Sequence, residues 1–401
     1  MTKVKSRGAQ GGGSIRKRPD GRWEARYTTG FDPKTGRQIQ RSIYGKTQKE
    51  VRQKLNQVTA EIDSGDYLEP SGMKLRDWLD SWLADYSGDK KYSTMKHYRA
   101  ACETHIKPRL GDVPLSKLNA VMVQKFYNSL SHPEDGEKVL SPKTVKNVHV
   151  VLSSSLKQAV KNELIKTNPC KDAVLPRIGK SKIQPLSEEQ IIDFFSLVDR
   201  DEVFGPILKL ILLTGLREAE ASGLTWDCVD FKKGTLTIEK QLQKRPQSAG
   251  GYTFTSLKND GVRVIKPAPY AMEILRKQYD KQCHQAEDAG SAWEAWSNKY
   301  EHSRATVFTN ELGGYLNPKQ IYLHFKKIAI DIGAPKARVH DLRHTYAVVS
   351  LQNGDDVKTV QSNLGHASAA FTLDVYGHVS DRMKDESSIR MERYLKNVIK
   401  L

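Results

Sequence analysis

The sequence predicts a multidomain, mainly α-helical protein that carries small β-sheets. Three observations predict it. At 401 residues the chain is long enough for two or three domains of ordinary size, each with its own core. Its apolar residues alternate near the N-terminus and take up helical spacing from about Met73 onward. Strand-like runs then return at 235–241, 252–255 and 262–265, inside a C-terminal stretch that is otherwise helical.

Residues 1–66 read as a small separate domain. After Gly11, Gly12 and Gly13 come two strand candidates, 22–28 and 38–44. Trp23, Ala25 and Tyr27 alternate with Arg22, Glu24 and Arg26, so one face packs while the other stays charged. Asp32, Pro33, Lys34, Thr35 and Gly36 supply the turn between them. A helix follows from Thr47, whose hydroxyl caps it while Glu50 completes a capping box, and its apolar stripe is Val51, Leu55, Val58 and Ile62. Such a module is either a generic small α+β fold or a nucleic-acid-binding sheet, with Arg16, Lys17, Arg22, Arg26 and Arg41 as the candidate contacts.

Residues 72–176 predict a helical domain of four helices. Leu75, Trp78, Leu79, Trp82 and Leu83 mark the first, and Met95, Tyr98, Cys102 and Ile106 the second. Val123, Phe126, Tyr127 and Leu130 mark the third, and Ser141 with Pro142 opens a long fourth through Val145, Leu152, Leu156 and Ala159. These aromatic stripes are core positions rather than a cofactor box. Residues 177–184 are a basic linker without periodicity, and a last domain, 185–401, opens at Ser187 with Gln190 three positions on. The stretch 285–304, with Trp293 and Trp296, reads equally as an amphipathic helix or a surface insertion, and the chain has no internal repeat.

Composition narrows the function classes. Sixty-four Lys and Arg against forty-seven Asp and Glu leave a net charge of +17, which favours a polyanionic partner. Cys102, Cys170, Cys228 and Cys283 lie too far apart for a CxxC pair, so they read as reduced thiols of a cytoplasmic protein and not as a zinc ribbon or redox motif. The greasiest run, 207–213, is short and holds Lys209, which leaves no candidate membrane span. The basic, glycine-rich start lacks the apolar core of a signal peptide.

Four constellations could carry chemistry. Gly215 turns the chain after buried Leu212 and Leu213, so Arg217 opens the next helix near buried surface with Glu220 one turn on to orient it; taken alone, the pair reads as a structural salt bridge. His340 and Arg343 share one helix face, which lets an imidazole and a guanidinium converge on one ligand. His340 and His344 also stand at the spacing of zinc ligands, but Asp341 replaces the glutamate of the metalloprotease motif and no third ligand is evident, so no metal is expected. His366, in Leu364-Gly365-His366, precedes Tyr376 by ten positions; singly, each is an ordinary packed residue. Asn259 to Gly261 is turn chemistry between two strand candidates, which puts Lys258 near a hairpin tip.

Their order is what is specific. Arg217 in Thr-Gly-Leu-Arg-x-x-Glu, then Lys258, then His340-x-x-Arg343, then Leu-Gly-His at 364–366, then Tyr376 resembles the catalytic series of the tyrosine recombinases, over essentially all of residues 185 to 385. The upstream organisation is similar to that of the integrases of temperate phages and integrative conjugative elements. That resemblance implies a three-stranded N-terminal domain for arm-type DNA sites, a helical core-binding domain of the SAM-like kind, and an α+β catalytic domain. It implies double-stranded DNA as the partner, a homo-tetramer exchanging strands through a Holliday junction, accessory DNA-bending or excisionase proteins, and no cofactor. No expected catalytic position is missing.

The set suits phosphodiester exchange. In-line attack builds negative charge on the non-bridging oxygens, and Arg217 and Arg343 offer planar, permanently ionised forks to it, with His366 as a further donor. Tyr376 is the implied nucleophile, His340 the candidate base, Lys258 the implied general acid on the 5′ oxygen, and Glu220 the residue that holds Arg217. The tail from Asp381 to Leu401, with Ile389, Met391, Tyr394, Leu395 and Ile399, is expected to dock on a neighbouring protomer or on its own domain. Two rivals stand beside this reading. A type IB topoisomerase uses similar residues but has no arm-like module, and a catalytically idle DNA-binding regulator would have lost Tyr376 or an arginine.

Overall fold

The structure is a computed structural model that describes residues 13–399 except 34, 66, 70, 71, 89, 135, 137, 180–183, 258–260, 297–303 and 366–380. It divides into two compact units, residues 1–180 and 181–401.

The first unit opens with an antiparallel sheet of order β1 (Ser14–Lys17), β2 (Trp23–Phe31), β3 (Gln38–Gly45). Strand β1 has four residues, too few to show a period, so alternation alone reveals two strands where the structure has three. β2 runs past Thr28 to Phe31 over a register irregularity between Thr28 and Gly30. The turn behaves as its residues require: Gly36 takes a φ of +64° and donates to the Asp32 carbonyl at 2.8 Å. Helix α1 (Gln48–Asp63) is capped by Thr47, which accepts from the Glu50 amide at 3.2 Å, while the Glu50 carboxylate takes the Lys46 amide at 2.9 Å. Val51 and Leu55 bury against Ala25 and Tyr27 as a small core of their own.

Four helices follow. They are α2 (Leu75–Asp85), α3 (Tyr92–Ala101), α4 (Ala120–Ser131) and α5 (Pro142–Lys161). α3 continues through a wide π-turn, Cys102–Ile106, into a last turn, Lys107–Leu110. Pro108 sits in that last turn; proline has no amide to donate and its ring crowds the carbonyl four residues back, and a widened turn relieves both conflicts. Asn119 caps α4, and Ser141 caps α5 with Pro142 at the first helical position. Trp78, Leu79, Trp82, Tyr127 and Leu152 are buried in one core, where the Trp78 indole donates to the Ser155 carbonyl at 3.1 Å.

The second unit begins with α6 (Glu188–Val198) under a complete Ser187–Gln190 capping box. α7 (Gly205–Thr214) is buried nearly all round, as its run of Ile207, Leu208, Leu210, Ile211 and Leu212 demands. After the short α8 (Glu218–Ser222) come β4 (Val229–Asp230), β5 (Thr235–Ile238), β6 (Lys240–Lys244), β7 (Tyr252–Ser256) and β8 (Arg263–Ile265). Here the hairpin expected around Lys258 is corrected. β7 pairs with β6, whereas β8 pairs with β5 in the sheet of order β4-β5-β8, so the strands on either side of Lys258 belong to different sheets. The cause is a break at Glu239: it splits the single run read over 235–241 into β5 and β6, and each half takes its own partner.

Helix α9 (Pro269–Ala289) takes in only the first residues of the stretch 285–304 and stops at Gly290. Trp293 beyond it is buried and meets Trp296 at 4.9 Å between ring centres, so both serve packing. Gln282 of α9 ties the Trp226 indole (2.8 Å) and the Val307 carbonyl (2.9 Å) together in the interior. The last elements are α10 (Pro318–Asp331), α11 (Val339–Gln352), α12 (Val357–Leu364) and α13 (Asp381–Ile399). Along α13 the side chains of Ile389, Met391, Tyr394, Leu395, Val398 and Ile399 are exposed. Among the described residues no helix is long and apolar enough to cross a membrane.

Candidate active site

Two left-handed glycines organise the site. α7 ends at Gly215 with φ +67°, and α12 ends at Gly365 with φ +64°. A Cβ on Gly215 would lie 2.4 Å from Tyr346 Cδ1 and 2.6 Å from Leu364 Cδ2, so both the dihedral and the close approach of α11 and α12 require glycine. The Gly215 carbonyl is thereby aimed at α11, where it accepts from Arg343 Nη1 at 2.7 Å.

Arg343 is 1% exposed, and its Nη2 donates to the Leu364 carbonyl at 2.8 Å. The next carbonyl, of Gly365, accepts from Arg217 Nη2 at 3.5 Å. Arg217 stands at the start of α8 with its side chain 30% exposed, and its Nη1 reaches Glu220 Oε1 at 2.6 Å. Its own amide donates to the other Glu220 oxygen at 3.0 Å, which fixes the carboxylate beneath it. The structure therefore brings Arg217, Glu220 and Arg343 together, on the backbone that leads directly into His366.

Glu220 is 1% exposed. Burial pushes its carboxyl pKa up, but hydrogen bonds and charge from Arg263, and then from Arg217, outweigh that and hold it below the usual carboxylate range. Arg263 of β8 is the neighbour of Glu220 that sequence reasoning missed. It binds Glu220 through Nη2 at 2.6 Å across 43 positions of sequence, and no local pattern marks it.

His340 lies in the first turn of α11, with its ring 4.7 Å from that of His344. Desolvation by the surrounding protein, followed by His344, Arg343 and Arg338, lowers its pKa to about 4, so the imidazole is uncharged at neutral pH. Asp341 between the two histidines turns away to Arg338, which binds it with Nη2 at 2.8 Å. Among the described residues no cluster of three or more His, Cys, Asp or Glu is placed to hold a metal. Lys258, His366 and Tyr376 lie outside the described residues.

In the N-terminal sheet the register sorts the five candidate contacts. Arg16 opposes Glu24, which opposes Tyr44, and Arg26 opposes Ser42, so Arg16, Glu24 and Arg26 share one face. Lys17 pairs with Trp23 and Arg41 with Tyr27, on the face that packs α1. The other face is charged, but Glu24 on it is only 2% exposed: Arg16 at 2.6 Å, Ser42 at 2.9 Å and Arg26 at 3.4 Å converge on its carboxylate. The Arg16 hydrogen bond is the main reason its pKa falls to about 2. Arg22, just ahead of β2, pairs with Asp20 at 2.8 Å, and Arg41 pairs with Glu69.

Two family profiles match the chain: the phage integrase family over residues 200–383, and the phage integrase N-terminal SAM-like domain over residues 74–131. Together they take in α2 to α4 and the second unit from α7 to the start of α13. The chain belongs to the phage integrase family. Among family members it is similar to a XerC-like tyrosine recombinase of Caldanaerobacter subterraneus, 27% identical over 89% of this chain and 92% of the relative. The ICEBs1 integrase of Bacillus subtilis is 23% identical over 95% of this chain and all of its own length. Among solved structures, the Tn1549 transposon integrase in complex with transposon right end DNA matches 80% of this chain and 99% of its own, with a TM-score of 0.64 at 20% identity. A lambda integrase tetramer bound to a Holliday junction covers 92% of this chain and 95% of its own, with a TM-score of 0.54 at 18% identity. As a phage integrase family member, the chain has the fold that its sequence predicts: mainly helical, with small antiparallel sheets.

Proposed function

We propose that this phage integrase family member, a site-specific DNA recombinase, integrates and excises a mobile element through a phosphotyrosine at Tyr376. One observation carries the residue assignment. Arg217 and Arg343, 126 positions apart in the chain, both seat a guanidinium on consecutive carbonyls, Gly365 and Leu364, immediately ahead of His366. Fixed guanidiniums gathered at one backbone turn are what an in-line phosphoryl transfer needs where charge accumulates on the non-bridging oxygens.

The Tyr376 oxygen attacks phosphorus, and the bond from phosphorus to the 5′ oxygen breaks. A 3′-phosphotyrosine forms, and Lys258 supplies the proton to the departing 5′ hydroxyl. His340 is the base that takes the tyrosine proton. Rejoining is the reverse reaction with the 5′ hydroxyl of the partner strand, so the bond energy is conserved and neither ATP nor a metal takes part. Residues 1–66 bind arm-type sites through Arg16, Arg22 and Arg26, with Lys17 and Arg41 at the edges; residues 72–176 grip the core site; and residues 177–184 link them to the catalytic domain, 185–401. Four protomers assemble on two DNA sites and pass through a Holliday junction. Accessory bending or excisionase proteins set the direction, and the work is done in the host cytoplasm.

The test incubates wild type and Tyr376→Phe with nicked DNA from the element's own ends in EDTA and looks for a covalent protein–DNA band on a denaturing gel. Wild type forms the band without metal or ATP, and Tyr376→Phe binds the same DNA without forming it. Full strand exchange by the phenylalanine variant sinks the assignment; a bound but inert wild type replaces it with a regulator on the same fold.

A further inference from the structure

We infer that Arg263 is a positioning residue for DNA cleavage: by sharing the Glu220 carboxylate it leaves Arg217 with positive charge to offer the scissile phosphate. The inference rests on the reading that Arg217 binds that phosphate. Both oxygens of Glu220 are doubly engaged. Oε1 accepts from Arg217 Nη1 at 2.6 Å and from Arg263 Nη1 at 3.3 Å; Oε2 accepts from the Arg217 amide at 3.0 Å and from Arg263 Nη2 at 2.6 Å. Two guanidiniums thus divide one buried carboxylate, and the trio keeps a surplus positive charge. With Arg263 removed, the same carboxylate faces Arg217 alone, and a one-to-one pair has far less field to give an anion.

Arg263 also fixes the turn that the other arginines use. Its Nε donates to the Asn363 carbonyl at 2.9 Å, so three successive carbonyls, Asn363, Leu364 and Gly365, each hold a different arginine: Arg263, Arg343 and Arg217. A Cβ on Gly365 would come within 3.0 Å of Arg263 Nη1, so the guanidinium lies directly against that left-handed turn. Its side chain is 8% exposed, and within the trio Arg217 is the more open to solvent. Arg263 therefore acts through Glu220 and the 363–365 backbone, with Arg217 as the group that meets DNA.

The experiment measures single-turnover cleavage by the full chain on DNA that wild type cuts, with either a normal scissile phosphate or a methylphosphonate, in which a methyl group replaces one charged oxygen. Arg263→Gln cleaves the phosphate on the order of 10²-fold more slowly, the scale of a misplaced catalytic contact, while DNA affinity is unchanged. The deficit shrinks on the uncharged methylphosphonate. Adding Glu220→Gln, which removes the excess negative charge, raises the rate of Arg263→Gln. Arg263→Lys keeps the buried charge, and so the fold, and shows a smaller deficit with the same dependence on phosphate charge, so the comparison holds even if the glutamine variant does not fold. Equal rates for wild type and both variants overturn the inference, as does a deficit identical on both phosphates and untouched by Glu220→Gln. Absence of covalent product from wild type itself overturns the recombinase reading beneath it.

Discussion

Arg217 and Arg343 differ in how they meet solvent. Arg343 is enclosed and spends its Nη atoms on the Gly215 and Leu364 carbonyls, whereas Arg217 retains an open side that Glu220 orients from below. Replacing Arg217 by Ala therefore removes the charge proposed to face the scissile phosphate without emptying the core. Cleavage of nicked DNA should fall by at least ~10²-fold while gel-shift affinity holds. Next to it, Glu218 has its pKa pushed up to about 7 by burial alone. A carboxyl raised in the folded state adds stability that is complete below its unfolded pKa and is lost as pH rises through 7. Glu218→Gln should therefore gain thermal midpoint relative to wild type between about pH 5 and pH 8, and a difference that does not change over that window would refute the assignment. The positions 217, 220 and 343, which the structure brings together, are legible in the sequence because short motifs mark them. Arg263 is not, because its partner is fixed only when β8 returns beside α8 and α12.

Elements were legible wherever a cap and a period coincide. The Thr47, Ser141 and Ser187 caps stand at the starts of α1, α5 and α6, and each side chain accepts the expected amide. What the pattern does not contain is strand pairing. The run 235–241 has the composition of one strand, and only tertiary structure divides it at Glu239 and sends its halves to different sheets. The ends of α7 and α12 are a stricter case, since both close on left-handed glycines that also allow side chains to approach. Gly215→Ala imposes a strained dihedral and a clash with Tyr346 and Leu364 together. It should cost roughly 2–5 kcal/mol in urea unfolding of the second unit, the sum of left-handed strain and overpacking. Cleavage should fall further than folded fraction, because the same carbonyl seats Arg343. A variant as stable as wild type would show that α7 can end another way.

At the scale of the whole chain, the surplus of seventeen positive charges is distributed over modules whose interiors are separate. Within the first unit, Ala25, Tyr27, Val51 and Leu55 form one core, and the core of α2 to α5 shares no residue with it. The Lys166–Glu61 ion pair at 2.6 Å bridges them, but both side chains are partly exposed, and such a pair is worth ~0–1 kcal/mol. Deleting residues 1–66 should therefore leave a folded chain with an unchanged melting transition for the remainder. If those residues serve arm-type sites, the truncated chain still forms the covalent complex on a core site, and what it loses is recombination between substrates that carry arm sites. Its DNA affinity should also fall less steeply with salt, because each arginine–phosphate contact removed takes about 0.9 from the slope of log affinity against log salt. A truncated chain that keeps the full slope would mean that Arg16, Arg22 and Arg26 stay on Glu24 and Asp20 in the complex, and that the N-terminal sheet serves a protein partner.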